Sequence, residues 1–341
     1  MTKQWFGLAG ILAALVALAA LPAVGRAQSK KWATARTVDG QPDLQGVWAN
    51  NLATPLQRPV QWAGKTTLTD AELDDLKRAA AEVVEGDGDA QFGDGLVLAA
   101  LDHVKDAVSS DPTTGNYNQF WVTEREFENR TSLITDPPDG RLPPYTPETE
   151  KRRAAAAERA KVHSFDSYAT RGLSERCLTW GVPRVQAAYN SHFQILQTRT
   201  HFVFYGEMAH DARIIPLDGR PHLPSSVRTW LGDSRGRWDG DTMVVETTNF
   251  SAKTNFQGAN ENLRLVERFT RVSADVLNYE VTVTDPTTWT KPWTLMIPLR
   301  RTNELIYEYA CHEGNYALAN ILAGARAQER EESRSARLKS R

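Results

Sequence analysis

The sequence predicts a mainly β protein of the α+β class, an antiparallel meander that closes into a barrel or folds over into a curved sandwich and carries a helical insertion. Three observations predict it. Apolar and polar residues alternate in short segments of the C-terminal half, as in "VLNYEVTVTD", where Leu277, Tyr279, Val281 and Val283 face one way and Asn278, Glu280, Thr282 and Thr284 the other. Short turn signals separate these segments, and no helix of about ten residues or more intervenes, which excludes a doubly wound parallel sheet. Helical spacing is confined instead to residues 60–165 and to the C-terminus.

Residues 1–27 read as a secretory signal: Lys3 supplies a positive start, "GLAGILAALVALAALPAV" a short apolar stretch, and Gly25 and Ala27 a cleavage-type ending. No other run approaches the ~20 apolar residues of a membrane span, so no stable span is expected after cleavage. The expected location is exported, periplasmic or extracellular. Removing Lys3 and Arg26 takes the formal charge from −2 to −4. That mild acidity lacks the basic footprint a nucleic-acid partner requires.

Residues 28–59 form an extended segment that ends in a first strand around "GVW". Residues 60–165 form a helix-and-loop insertion packed on the sheet. Within it, Thr69 caps a helix with Glu72 three residues on and Leu73, Leu76, Ala80 and Val83 at helical spacing; Gly86 ends it. "LVLAALDHVKDAVSS" is a second helix, and Thr146 with Pro147 opens a third that runs to about His163. The sheet core occupies 166–315, with strands expected near 192–199, 201–208, 212–217, 235–239, 241–249, 263–272, 276–284, 293–301 and 305–312. Residues 316–341 begin as an amphipathic helix capped by Asn315, with Leu318, Ile321, Leu322 and Ala325 on one stripe, and continue into a frayed charged tail.

The chain has 2 cysteines, and in an oxidising compartment they are most simply paired, Cys177 with Cys311. A catalytic thiolate would need an activating base and an electropositive site, and zinc would need more clustered ligands.

A short Gly-x-Trp strand opening a meander resembles the lipocalin and calycin type of barrel, in which the Trp plugs one end; the resemblance implies a lipocalin-like barrel. The phrases "PDLQGVW", "RTSLITDPPDGRLPP", "CLTWGVPR", "GDSRGRWDGDTMVVETTNF" and "YEYACHEGNY" together resemble a family of exported bacterial proteins known only as hypothetical. That likeness implies a common fold and a shared site, and it brings no activity with it.

The densest polar stretch is "YGEMAHDARIIPLDGRPH". Glu207 and His210 could serve there as general base and acid, with Arg213 steadying a developing oxyanion or a substrate carboxylate. The alternative is that they pair with one another at the rim. No cofactor is required by the sequence. A bound divalent metal is possible, with His201, His210 and His312 as its ligands, although no tight ligand spacing is present. Tyr117, Trp121, Tyr205, Trp289 and Trp293 are candidates to line the mouth of a ligand cavity. The Gly-x-Ser-x-Gly elbow, the Walker loop, H-E-x-x-H and the dinucleotide glycine fingerprint are all missing. The leading expectation is an exported protein that binds a small, partly apolar molecule. The alternatives are a periplasmic hydrolase, lyase or isomerase built on Glu207, His210 and Arg213, and an envelope interaction protein.

Overall fold

The computed structural model describes residues 32–86, 88–104, 122–185 and 189–340. Among the described residues every element lies within Thr34–Arg341. In chain order they are β1 (Gly46–Ala49), α1 (Asp70–Glu85), α2 (Gly95–Leu101), β2 (Ile134–Asp136), α3 (Pro147–His163), β3 (His192–Gln197), β4 (His201–Gly206), β5 (Ala212–Pro216), β6 (Asp233–Asp239), β7 (Thr242–Thr248), β8 (Arg264–Arg271), β9 (Val276–Thr284), β10 (Trp293–Thr302) and α4 (Ala317–Lys339).

The ten strands form one antiparallel sheet in the order β5-β4-β3-β1-β10-β9-β8-β7-β6, with β2 also paired to β10. Strand direction alternates along this path, so β5 and β6, at its two ends, run the same way. They are not hydrogen-bonded to one another, and the sheet is therefore not closed into a barrel; it curves over as a sandwich does. Its two edges meet through side chains. Gly236 permits the approach, because a Cβ there would lie 2.6 Å from Leu217 and 3.0 Å from Ile215.

Alternation behaves as expected on the long strands. Leu277, Tyr279, Val281 and Val283 of β9 and Leu295, Ile297 and Leu299 of β10 are buried. They meet Phe193, Phe204 and Phe269 in a run of packed rings, with centroids 4.9 Å apart for Phe193–Phe204, 5.1 Å for Phe204–Phe269 and 4.7 Å for Phe269–Tyr279. Within this apolar interior sits one ion pair. The Arg213 Nη atoms reach Glu267 at 2.8 and 2.6 Å, and Tyr279 Oη donates to the same carboxylate at 2.6 Å. Arg213 also donates to Thr247 Oγ1 at 2.9 Å and Ser234 Oγ at 3.0 Å, so a single side chain on β5 ties β6, β7 and β8. Burial by itself would lower the pKa of Arg213, and the charge and hydrogen bonds of Glu267 more than reverse this. Burial, followed by the Glu267 charge, pushes the Tyr279 phenol well above its ordinary value, so it remains a donor.

The β3–β4, β6–β7 and β8–β9 turns lie at one end of the sheet, and the loops β4–β5, β7–β8 and β9–β10 at the other. Trp48 belongs to the first end. It is fully buried, donates Nε1 to Leu44 O at 3.0 Å, and has the guanidinium carbons of Arg271 and Arg301 at 5.5 and 5.7 Å from its ring. Gly46 makes room for this arrangement: its φ is +130°, and a Cβ would sit 3.2 Å from the Arg301 guanidinium.

The helices follow their sequence signals closely, with two exceptions. Thr69 and Glu72 form a capping box on α1, and α3 starts at Pro147 behind a Thr146 cap. α1 and α2 bury Leu73, Leu76, Ala80 and Val83 against Leu96 and Val97 as a second small core. The first exception is α2, which ends at Leu101 rather than continuing as far as expected, and residues 105–121 lie outside the described residues. The second is α4, which begins after Tyr316 instead of an Asn315 cap and stays helical to Lys339 with no residue buried. Charge pairs three residues apart, such as Arg326–Glu329 and Arg334–Glu331, accompany that solvated helix. β2 was not anticipated. It is three residues long, too short for alternation to register.

The interior ion pair gives a direct test. Replacing one partner, Glu267→Leu, leaves Arg213 buried without a counter-charge and is expected to cost about 3–5 kcal/mol in urea unfolding. The double variant Arg213→Met/Glu267→Leu is expected to lose less than the single one.

Candidate functional site

The turn from Glu207 to Asp211 joins β4 to β5 and holds two pieces of chain at once. Ala209 and His210 have φ of 59° and 51°, left-handed values that side chains other than glycine adopt at a cost of about 1–3 kcal/mol each. What holds the turn in that shape is its set of partners. Glu207 is buried; its Oε1 accepts the Tyr307 backbone N–H at 3.0 Å, and its Oε2 lies 3.1 Å from His192 Nδ1. His210 Nε2 accepts the Tyr309 backbone N–H, which places the ring proton on Nδ1, facing Tyr205 Oη. Burial, with the nearby charges of Glu207 and Glu308, raises the Tyr205 phenol pKa.

Residues 303–310 thus form an extended strap over this turn. The expected strand at 305–312 is not formed: the strap's N–H groups at 307 and 309 go to side chains in place of a neighbouring strand. Beyond the strap, the sulfurs of Cys177 and Cys311 are 2.06 Å apart with Cα atoms at 5.6 Å, a disulfide that closes a separation of 134 residues. His312 lies just past it, exposed.

Asp211 holds the second piece, the segment that follows Cys177. Its Oδ2 accepts from Thr179 Oγ1 at 2.7 Å and from the Trp180 backbone N–H at 3.2 Å, and it pairs with Arg184. Arg184 in turn donates to Gly181 O at 3.1 Å and Met208 O at 2.9 Å. Burial lowers the pKa of Arg184, and Asp211 opposes that shift. The result is a pinned wall, Thr179–Val182, at the loop end of the sheet.

Against this wall opens a cleft of about 500 Å³. Its lining includes Trp180 and Val182 of this wall, and Trp230 and Phe256 from the loops before β6 and after β7. Arg171, Arg176 and Lys253 stand around it, and no Asp or Glu is among its described lining residues. Phe256 stacks on Trp293 at 6.0 Å, Trp293 meets Trp289 edge-on at 5.5 Å, and Trp289 stacks on Tyr145 at 6.3 Å. The aromatic wall is therefore backed by a rigid series of rings.

The sequence-derived candidates distribute as follows. Glu207 and His210 share the turn, with Glu207 Oε1 and His210 Nε2 engaged by the strap and Glu207 Oε2 by His192. Arg213 does not join them, since its guanidinium points into the interior toward Glu267. Trp289 and Trp293 are 1 % and 0 % exposed and stand behind the cleft wall instead of lining it. Tyr205 belongs to the strap contact. Tyr117 and Trp121 lie outside the described residues. His201 bonds Thr200 at 3.0 Å and is not grouped with His210 and His312; among the described residues no cluster of three or more His, Cys, Asp or Glu is placed to hold a metal ion.

Sequence reasoning missed Trp180, Trp230, Phe256, Arg176 and Lys253. The available signal was aromatic residues within Gly- and Pro-containing loops, "CLTWGVPR" and "PHLPSSVRTWLGDS", where Trp180 and Trp230 sit outside any alternating segment. Compared with family models, curated proteins and solved structures, the chain matches none.

Two outcomes are expected. The oxidised protein should weigh two hydrogens less than the reduced chain, and reduction should lower its unfolding free energy by roughly 3–5 kcal/mol. His210→Ala should speed hydrogen exchange at the Tyr309 amide, and Glu207→Ala at the Tyr307 amide, each by about fivefold or more, as expected for loss of a bond worth about 1–3 kcal/mol.

Proposed function

We propose that this chain is an exported small-molecule-binding protein that holds a partly apolar ligand in the cleft between Trp180 and Trp230. The observation that carries this reading is the inequality of the two ends of the curved sheet. At one end the fully buried Trp48, flanked by Arg271 and Arg301, fills the interior. At the other, the aromatic cleft of about 500 Å³ is open and within the size range of small-ligand sites.

The walls suit binding. Asp211 and Arg184 fix one side through backbone contacts, and Trp293 and Trp289 support the other, so the site is formed before a ligand arrives and little ordering cost remains. The acid–base reading has less support, because Glu207 Oε1 and His210 Nε2 accept from the strap, Glu207 Oε2 faces His192, and Arg213 faces the interior. Export is supported by the disulfide and by the leader-like residues 1–27. Among the described residues no helix is long and apolar enough to cross a membrane.

The test is native mass spectrometry of protein purified from its exported fraction, followed by titration of a panel of aromatic compounds against tryptophan fluorescence. A retained organic mass or saturable quenching is expected. Trp230→Ala should weaken that binding by about 10–100-fold, a loss of about 1.4–2.8 kcal/mol, with an unchanged melting temperature. Absence of any saturable ligand, or affinity indifferent to Trp230→Ala, would count against the reading.

A further inference from the structure

From the charges around the cleft, we infer that its ligand is an anion, a planar ring system bearing a carboxylate. This rests on the reading of the cleft as the ligand site and adds the chemical class.

The chain as a whole is slightly acidic, with Asp+Glu 42 against Lys+Arg 40. The cleft reverses that balance, with three cations and no carboxylate among its described lining residues. The three cations are not equivalent. Arg171 is already neutralised: its Nε and Nη2 meet Glu175 at 2.7 and 3.0 Å, and its guanidinium lies 4.9 Å from the Phe165 ring. Asp211, the carboxylate behind the wall, is likewise saturated by Thr179, Trp180 and Arg184. Arg176 and Lys253 are left. Arg176 has its guanidinium carbon 5.4 Å from the Tyr168 ring, and neither it nor Lys253 has a carboxylate partner among the described residues.

Two uncompensated positive charges at the border of a low-dielectric aromatic cleft focus a field on whatever enters it. An Arg fork matches a carboxylate through two parallel N–H···O bonds, and a Lys ammonium adds a mobile point charge. The rings of Trp180, Trp230 and Phe256 suit the flat remainder of the molecule, because indole and phenyl faces stack on planar π systems. A neutral aromatic ligand would satisfy the rings and leave both cations unused. A cationic one would be repelled.

The experiment compares 2-naphthoate with 2-naphthylmethanol, which shares its ring and lacks its charge, on the mature, disulfide-intact protein at low and high salt. Naphthoate is expected to bind at least tenfold more tightly, and added salt should narrow that ratio. Lys253→Gln and Arg176→Gln should each narrow it, and together bring it close to one. If Arg176→Gln fails to fold because it loses its place over Tyr168, Lys253→Gln decides the matter alone, since Lys253 is exposed. Equal binding of the two compounds, or a ratio unaffected by either substitution, would overturn the anion assignment and leave the cleft reading intact. If neither compound binds, or if both bind as well to Trp230→Ala, the cleft reading fails and the anion assignment with it.

Discussion

The fold depends on a four-residue strand with hydrogen bonds on both sides. β1, Gly46–Ala49, pairs with β3 through Trp48↔Phe193 and with β10 through Trp48↔Arg301, and among the described strands it is the sole backbone ladder joining β3–β5 to β6–β10. Neither half could close its own edge. Pairing through β1 satisfies the backbone groups of β3 and β10 together, and places the Trp48 ring where Arg271 and Arg301 cover it. β2 completes the same edge of β10 nearer its start, at Ile134↔Leu295. Two short segments from early in the chain thus decide how much later strands assemble, at the loop-closure cost such long-range pairing carries.

A similar economy governs the loop end. The turn Glu207–Asp211 bonds the strap through Glu207 and His210 and the cleft wall through Asp211, while Cys177–Cys311 joins wall and strap to one another. Wall, turn and strap therefore form a closed loop of constraints around a backbone that is itself in left-handed conformation at Ala209 and His210. Such conformations persist where the surroundings over-determine them. The polar residues of this stretch thus have a holding role, while aromatic residues of neighbouring loops line the cleft.

Some features of the site could be read from residue types, and others could not. Cys177 and Cys311 could be paired by counting, since only two cysteines are present. The importance of "YGEMAHDARIIPLDGRPH" was visible from its polar density, but the direction of each side chain was not. Arg213 lies two residues beyond Asp211, but Asp211 is still in the turn, whereas Arg213 is on β5 and shares the buried face of Ile215, where Glu267 from a strand some fifty positions later meets it at 2.6 Å. Trp289 and Trp293 looked like cavity aromatics because they occupy a turn-rich stretch; packing against Tyr145 and Phe256 buries them. Residues 305–312 alternate like a strand and remain without a ladder, because side chains took the bonds a neighbouring strand would have supplied.

The amino-acid sequence by itself determined the periods and the punctuation: where the long strands β3–β10 run, which face of each is apolar, where α1 and α3 are capped, and that the two cysteines meet. These are local properties, set by side-chain alternation, turn residues and short-range hydrogen bonds. Tertiary structure alone decided that β1 is the central seam, that β5 and β6 meet through side chains without a ladder, and that Trp180, Trp230 and Phe256 face a common cleft. Each of these results from contacts between residues far apart in the chain, and no local pattern encodes which distant partner a side chain will find.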